Sequence, residues 1–512
     1  MTEVCLAFGV HQPLRINKNF TEELAKGRRP EELFDVYFNN TWNREIFNRV
    51  ADKCYRPANE IILEEIDRFK SEQREFKVAF SSSGIFFEQC ERWAPDVLDS
   101  FKQLSETGCV EFLCQTYFHS LSSLFSAERS EFMEQVLMHR ELMRELFGQN
   151  PQVFENTEFI YNNSIAKTIA GLGFQGIFTE GAERILGWRS PNYVYKARDC
   201  NLQVLLRNYR LSDDVSFRFS NRSWSGWPLT AEKYAAWLSS TPGQCTNLFM
   251  DYETFGEHQW LETGIHEFLK WLPREVLRYD HLRFITPSEL LEHEPVGEID
   301  VDDFCTISWA DMSRSTDAWL GNDMQRTAFN AVKRLTPLVK KTKNADLIKI
   351  WRLLQTSDHI YYMYTVRGPS GLVHEYFSQQ FPAEAFWAFM KIMSNLHEKV
   401  AENLGGEDQV SARLLRVVPP DRAFHFHEDG TYIDLSAHSL EELRDVLPLV
   451  SDRSILFHVA CKHFEKWVRF TIGDDELANE ISTIEGKGVA DLRQRLHYAI
   501  EQRISKLQGG IR

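Results

Sequence analysis

Short apolar runs that stop abruptly on polar or charged residues recur along this chain, with amphipathic stretches between them. The runs Val4 to Val10, Phe76 to Phe80, Val110 to Leu113, Val153 to Asn156, Gly173 to Phe178, Leu202 to Leu206, Leu248 to Asp251 and Leu282 to Ile285 have the length and apolar character of strands buried on both faces. Ala58 to Phe69, Glu128 to Phe147 and Ile265 to Leu277 place apolar residues three and four apart, the helical period. Alternation of this kind over about 300 residues predicts a parallel sheet closed into a barrel. One of the eight runs is expected in a loop ribbon and not in the barrel wall.

Past Val296 the pattern changes. Thr316 to Leu335, Ala345 to Gln355, Glu375 to Phe377 and Ala383 to Leu404 are helical by period and follow one another without clear strands, which predicts a helical domain against the barrel mouth. Glu402 to Asp408 and the pair Pro419-Pro420 mark a further boundary. Beyond it Ala423 to Asp434, with Asp429-Gly430 as a hairpin turn, precedes helices at Ser439 to Leu447, Phe457 to Thr471 and Asp474 to Ser505. The expected division is a catalytic barrel over 1–295, a helical domain over 296–415 and a small α+β domain over 416–512. That last unit has no acids or histidines gathered at strand tips, and its aromatic residues recur at core spacings. It reads as a packing or partner-binding module without a second active site.

The strand ends carry the chemistry. In Asn247-Leu248-Phe249-Met250-Asp251 an apolar run halts at an acid, and desolvating a carboxylate there is costly unless it has a task. Val153 to Asn156 is followed by Thr157 and Glu158, and Val4 to Val10 by His11, Gln12 and the strand-ending Pro13. Glu, Asp and His at barrel strand tips suit acid, base or nucleophile work on a polar neutral substrate such as a sugar. Each has a plainer explanation as well. Glu158 and Asp251 could cap short helices, and His11 could satisfy a backbone carbonyl.

His11-Gln12-Pro13, Gly108 to Phe112, Phe154-Glu155-Asn156-Thr157-Glu158 and Met250 to Gly256 together resemble, in order and spacing, the sequence regions of glycoside hydrolase family 57. The resemblance covers about residues 1 to 400. It implies an incomplete (β/α)7 barrel and a retaining enzyme of the α-amylase, 4-α-glucanotransferase or branching type, with His-Gln-Pro closer to the amylase branch. It makes Glu158 the nucleophile and Asp251 the general acid/base, and it places His11, Gln12, Glu111 and His258 against substrate. The family's fifth region, Glu-Ser-Asp-Trp, has its best match in Gln355 to Tyr362, which keeps Ser357 and Asp358 but loses the Glu and replaces Trp by His359. Asp358 is thereby a sugar-binding candidate. Tyr361, Tyr362, Trp309, Trp319 and Trp260 compete to supply an aromatic platform, since a ring matches the apolar face of a pyranose. Tyr117 and His119 are expected beside Glu111, lining the cleft or packing helices. The alternative for Glu111 is a buried ion pair, and for the unit over 416–512 it is glucan binding.

Composition narrows the partners. A net charge of −16 argues against nucleic acid or an anionic membrane surface, while a neutral α-glucan or maltooligosaccharide is indifferent to it. No run reaches the length of a membrane span, and the opening residues lack the basic-then-apolar layout of a signal peptide, so a cytoplasmic location is expected. The nine scattered cysteines form no Cys-x-x-Cys pair and read as reduced, buried thiols. No metal or organic cofactor is expected. A zinc deacetylase on a related barrel would need paired histidine ligands beside Asp251, where His258 stands alone. A glucan-binding protein without catalysis is a further alternative, and retention of both Glu158 and Asp251 speaks against it. Hydrolysis and transglycosylation differ in which acceptor reaches the intermediate, a property of subsites and loops and not of the two acids.

Overall fold

A computed structural model describes residues 2–125, 128–366 and 381–509. The helical run expected at Glu375 to Phe377 lies outside them. The chain forms two compact units, Met1–Leu14 with Asn40–Ala318 and Arg15–Asn39 with Trp319–Arg512.

The first unit is built on a ten-stranded sheet: β1 (Thr2–Val10), β2 (Val78–Ser82), β3 (Val110–Phe112), β4 (Val153–Glu155), β5 (Gly176–Glu180), β6 (Val194–Ala197), β7 (Gln203–Arg207), β8 (Cys245–Asp251), β9 (Leu282–Phe284) and β10 (Glu298–Ile299). Parallel pairing runs β3-β2-β1-β8-β7-β5-β4. One parallel bridge, Cys114 with Phe154, joins the two ends, so seven strands curl into an incomplete (β/α)7 barrel. Two seams are narrow. That bridge is one, and the single pair Arg207 with Asn247 between β7 and β8 is the other.

All eight runs read from the sequence are strands of this sheet. The loop ribbon is a ninth, β6, antiparallel to β7 and continued by β10, and its Lys196 interrupts the apolar signal. Among the described residues β9 pairs only with the foot of β1, at Thr2 to Val4.

Side chains on the barrel strands alternate with period two, and the polarity of the inward set switches at one level. Below it lie Cys5, Ala7, Ala79, Leu113, Val153, Phe178, Leu205, Cys245 and Phe249, which form one buried apolar cluster. Two residues further along the strands the same face carries Ser81, Glu155, Glu180, Arg207 and Asp251, all at C-terminal ends. Outward residues such as Val4, Leu6, Phe8, Phe80, Leu248 and Met250 pack against helices, among them Arg56–Ser71, Pro95–Glu106 and Ile265–Val276. A layer of apolar side chains thus floors the barrel, and the charged layer above it opens at the end where such folds place their chemistry.

In the second unit helices Asp323–Thr342, Ala345–Leu353 and Pro382–Glu402 pack together, and Tyr37 donates to Asn395 at 2.7 Å. The run expected as one helix from Thr316 to Leu335 breaks at Gly321, because Asn322 caps a new helix by accepting from Gln325 N. A separate core gathers Phe424, Phe426, Leu440, Leu443, Phe464, Leu496 and Ile500 under a hairpin of β11 (Phe424–Glu428) and β12 (Thr431–Ala437). No helix among the described residues is long and apolar enough to cross a membrane.

Candidate active site

Glu158 follows β4 in a turn whose backbone is unusual, since Glu158 and Phe159 both adopt positive φ, 59° and 57°. Two consecutive non-glycine residues in the left-handed region store strain, and the surroundings hold them there. Asn156 donates to Ile160 O at 2.8 Å across the turn and to Ser123 Oγ at 3.1 Å, while Thr157 and Thr116 hydroxyls meet at 2.7 Å. The helix that starts at Asn163 is capped by Asn162 and not by Glu158, which leaves the Glu158 carboxyl for other work.

That carboxyl is gripped from both sides. Trp309 Nε1 donates to its Oε2 at 2.8 Å, and His119 Nε2 faces its Oε1 at 3.5 Å. Trp309 is itself fixed. Its ring stacks on Phe159 at 4.8 Å, and the Arg207 guanidinium lies 5.3 Å from its centroid. Arg207 is buried and donates to Glu180 (3.0 Å), Asp213 (2.6 Å) and the carbonyl of Phe249 (2.7 Å). Arg314 lies 3.7 Å from Glu180 and 3.6 Å from Asp213 and donates to the Trp309 carbonyl. Burial pushes the Glu180 carboxyl up, against the pull of the two arginines.

Asp251 ends β8 in register with Gly9 of β1. A Cβ at Gly9 would stand in ordinary contact with Asp251 Oδ1 at 3.7 Å and tightly against the Phe249 ring at 3.3 Å, so the acid lies over Gly9 and the bare glycine relieves the ring beneath it. Asp251 precedes a short 3₁₀ turn without capping it. Two residues beyond Gly9, His11 stacks on His119 with centroids 4.0 Å apart and Nδ1 2.8 Å from Ser83 Oγ. A continuous set of contacts therefore runs from Glu158 through His119 and His11 to the strand segment beside Asp251. Gln12 is buried, and its carbonyl accepts from Gln89 at 2.6 Å.

Each of the two acids has a buried companion. Glu155 is pushed up to about 8 by burial and secondarily by the Glu158 charge, against His119 and Ser81. Glu253 is also pushed up to about 8, by burial first and the Asp251 charge second, and accepts from the Tyr55 hydroxyl at 2.5 Å. Neither companion was singled out from the sequence. For Glu155 the usable signal was the two-residue step from the apolar inward Val153, a step that also marks Ser81, Glu180 and Arg207, while Glu253 lies past the strand end and has no such signal.

Other expectations met different fates. Glu111 lies mid-barrel beside Ala79, and Ser288 takes both of its oxygens, the amide at 2.9 Å and the hydroxyl at 2.5 Å. The expected substrate contact gives way to a cap on the helix that starts at Pro287, and the alternative of an Arg or Lys pair is not what the acid uses. Tyr117 donates to Glu88 at 2.9 Å and packs flat against Gly84, a helix-packing role. His258 lies in the loop after β8, and burial pushes it down to about 4, so it is a neutral imidazole near neutral pH. Trp260 is exposed beside Lys53. In the second unit Trp319 is fully buried as core, Tyr361 stacks with Tyr364, Tyr362 is held near Arg15 and Asp358, and Asp358 lies in the first turn of the helix Ser357–Tyr361.

The family model of glycosyl hydrolase family 57 matches residues 5–302, the whole stretch that carries this site. The chain belongs to that family. A protein of Methanocaldococcus jannaschii described as "Putative alpha-amylase" is 48% identical over 408 residues, covering 78% of this chain and 84% of the relative. Among solved structures, the 4-alpha-glucanotransferase of Thermococcus litoralis has a TM-score of 0.55 at 17% identity, over 84% of this chain and 62% of that one. This chain thus spans less than two-thirds of the glucanotransferase. The family 57 branching enzyme of Pyrococcus horikoshii also has a TM-score of 0.55, at 15% identity, over 78% of this chain and 90% of its own. These likenesses establish the fold of a glycoside hydrolase of family 57.

Proposed function

We propose that this glycoside hydrolase cleaves α-1,4-glucosidic bonds of a glycogen- or starch-type glucan, or of maltooligosaccharides, with retention of anomeric configuration. Glu158 attacks the anomeric carbon. Asp251 protonates the departing oxygen and then deprotonates the incoming water, so one carboxyl serves as acid and base in turn. The observation that carries this reading is the pair of carboxyls at the ends of barrel segments, Glu158 in the turn after β4 and Asp251 at the tip of β8, with the His119–His11 stack running from Glu158 to the strand beside Asp251 and Trp309 holding one oxygen of Glu158. A nucleophile must present one lone pair along a fixed line, and a donor on one oxygen with a strained turn beneath it fixes that line before substrate arrives.

His11, Gln12 and His258 are assigned to hydroxyls of the sugar at the cleavage point, the last as a neutral imidazole. Trp309 offers its remaining ring surface there. Asp358 is assigned a substrate contact, and Asp358→Ala should raise KM without unfolding the protein. The name of the M. jannaschii relative supports an α-glucan as substrate. Nine cysteines without a disulfide fit a reducing, cytoplasmic setting.

The test is incubation with maltoheptaose. Shorter products with retained configuration are expected from the wild type, none from Glu158→Gln. Products longer than the starting sugar would assign the intermediate to a sugar acceptor, the transglycosylase form of the same chemistry. Full activity in Glu158→Gln would remove the nucleophile from this position.

A further inference from the structure

Glu155 ends β4 as an inward acid only 4% exposed, three residues before the candidate nucleophile, and the mechanism above gives it nothing to do. Its Oε2 lies 2.9 Å from Ser81 Oγ, which lies 3.1 Å from Gln115 Nε2. Gln115 Oε1 lies 3.0 Å from His119 Nδ1, and His119 Nε2 faces Glu158 Oε1 at 3.5 Å. The relay begins and ends on carboxyls of one strand-and-turn segment, passing through β2 and the loop after β3. We propose that Glu155 is a positioning residue that acts through Ser81 and Gln115 to set which nitrogen of His119 carries its proton, and so whether His119 donates to Glu158. The inference rests on the reading of Glu158 as nucleophile.

Donor and acceptor rules allow the relay two polarities. With Glu155 ionised, Ser81 donates to Glu155, Gln115 Nε2 donates to Ser81, and Gln115 Oε1 accepts from His119 Nδ1. A neutral His119 then turns the lone pair of Nε2 toward the Glu158 carboxylate, which repels it. With Glu155 protonated, its O–H donates to Ser81, and Ser81 donates to the oxygen of Gln115 turned over about its amide, a rotation that exchanges oxygen and nitrogen in place. The amide N–H donates to His119 Nδ1, and a neutral His119 carries its proton on Nε2 and donates to Glu158. His119 holds one proton in both arrangements. The proton that differs is the one on Glu155.

Burial favours the second polarity near neutral pH. Of the charged or titratable groups that act on Glu155, Glu158 favours its protonation and His119 opposes it only when it carries a second proton, while the Ser81 hydroxyl also opposes it. Above about 8 Glu155 ionises, the relay reverses, and Glu158 loses its imidazole donor.

The experiment measures kcat/KM against pH with α-maltosyl fluoride, whose fluoride leaves without help from a general acid, so that the protonation of Asp251 does not enter the step. The wild type should fall above about pH 8. Glu155→Gln, whose amide donates to Ser81 at every pH, should stay level over the same range. Ser81→Ala cuts the relay with Glu155 in place and should lose about tenfold at neutral pH, and it carries the test if Glu155→Gln does not fold. A fall above about pH 8 that persists in Glu155→Gln, or full kcat/KM in Ser81→Ala, overturns the proposal. Glu158→Gln is assayed beside them. Fluoride release at the wild-type rate in that variant sinks the nucleophile reading itself, whereas no release there, with an unchanged profile in Glu155→Gln, sinks only the role of Glu155.

Discussion

Removing the guanidinium of Arg207 tests how the charged layer is held. In Arg207→Ala the buried Glu180 keeps, among the described residues, only Arg314, 3.7 Å away, as a cationic neighbour, and the Phe249 carbonyl loses its Arg207 donor. Breaking a buried ion pair by deleting one partner costs about 3–5 kcal/mol. A unit of about 290 residues unfolds with an entropy of about 0.6 kcal/mol/K, so the loss converts to a fall of about 5–8 °C in melting temperature. The loss should shrink in acid. Burial already raises Glu180 above the usual carboxylate value of 4.5, so on lowering the pH the folded variant takes up this proton before the unfolded chain does and gains stability relative to it. Calorimetry at about pH 5 and about pH 8 should show the smaller drop at the lower pH. Activity should fall at both, because Trp309 loses the cation over its ring. Arg207→Lys should rescue little, since one ammonium cannot reproduce three forked contacts. A melting temperature within about 1 °C of wild type for Arg207→Ala would refute the reasoning.

Three further outcomes are expected. The folded state keeps the Glu253 proton up to about 8 while the unfolded chain releases it near 4.5, so the stability this proton confers is full below 4.5 and is lost as pH rises through about 8. Urea denaturation of Glu253→Gln should show a flatter decline over that window, and an unchanged slope would deny the shift. Gly256→Ala should cost about 3 kcal/mol or more, because φ is 134° and the new Cβ would lie 1.9 Å from the Lys53 carbonyl; a near-neutral effect in thermal melting would contradict the backbone described there. Truncation before Pro419 removes most of a self-contained core and should leave a folded protein active on soluble maltooligosaccharides, so complete loss of activity in a folded truncation would assign that module to the site.

The strands were legible because they are buried on both faces and therefore apolar without interruption. β2 was read two residues early, over Phe76 to Phe80, because Ser81 and Ser82 look like a loop, whereas they are the strand's contribution to the charged layer. β6 and β10 escaped because a two-residue strand and one containing Lys196 carry too little pattern. Long helical periods concealed breaks. Phe457 to Thr471 spans two helical segments that meet at Lys462, whose φ is 57°, and Asp474 to Ser505 is divided by the segment holding Gly486 and Gly488. In the site, Glu158 and Asp251 were visible as acids that end apolar runs. Arg207 and Glu155 were not, since a charged residue at the edge of a strand reads as solvent-facing until the barrel closes around it. Glu111 misled for the opposite reason, because its partner Ser288 lies 177 residues away and leaves no local trace.

The two narrow seams divide the barrel wall into β4-β5-β7 and β8-β1-β2-β3, and the two carboxyls assigned to catalysis stand on opposite sides of that division. A retaining mechanism asks for about 5 to 5.5 Å between them. No unbroken ladder of main-chain hydrogen bonds fixes that gap, so it is adjustable. One seam is bolted by side chains, Arg207 to the Phe249 carbonyl and Asn247 to the Leu206 carbonyl at 3.0 Å, beside the Asn208 amide on the Asn247 carbonyl, and the other by the Cys114 and Glu155 amides together with Thr116 on Thr157 and Asn156 on Ser123. Widening the second seam would draw Glu158 away from Asp251 while leaving every strand intact. The two carboxyls would then behave as jaws on separate plates, and the amides of Cys114 and Glu155 should exchange with deuterium earlier than those at the centres of β1 and β8.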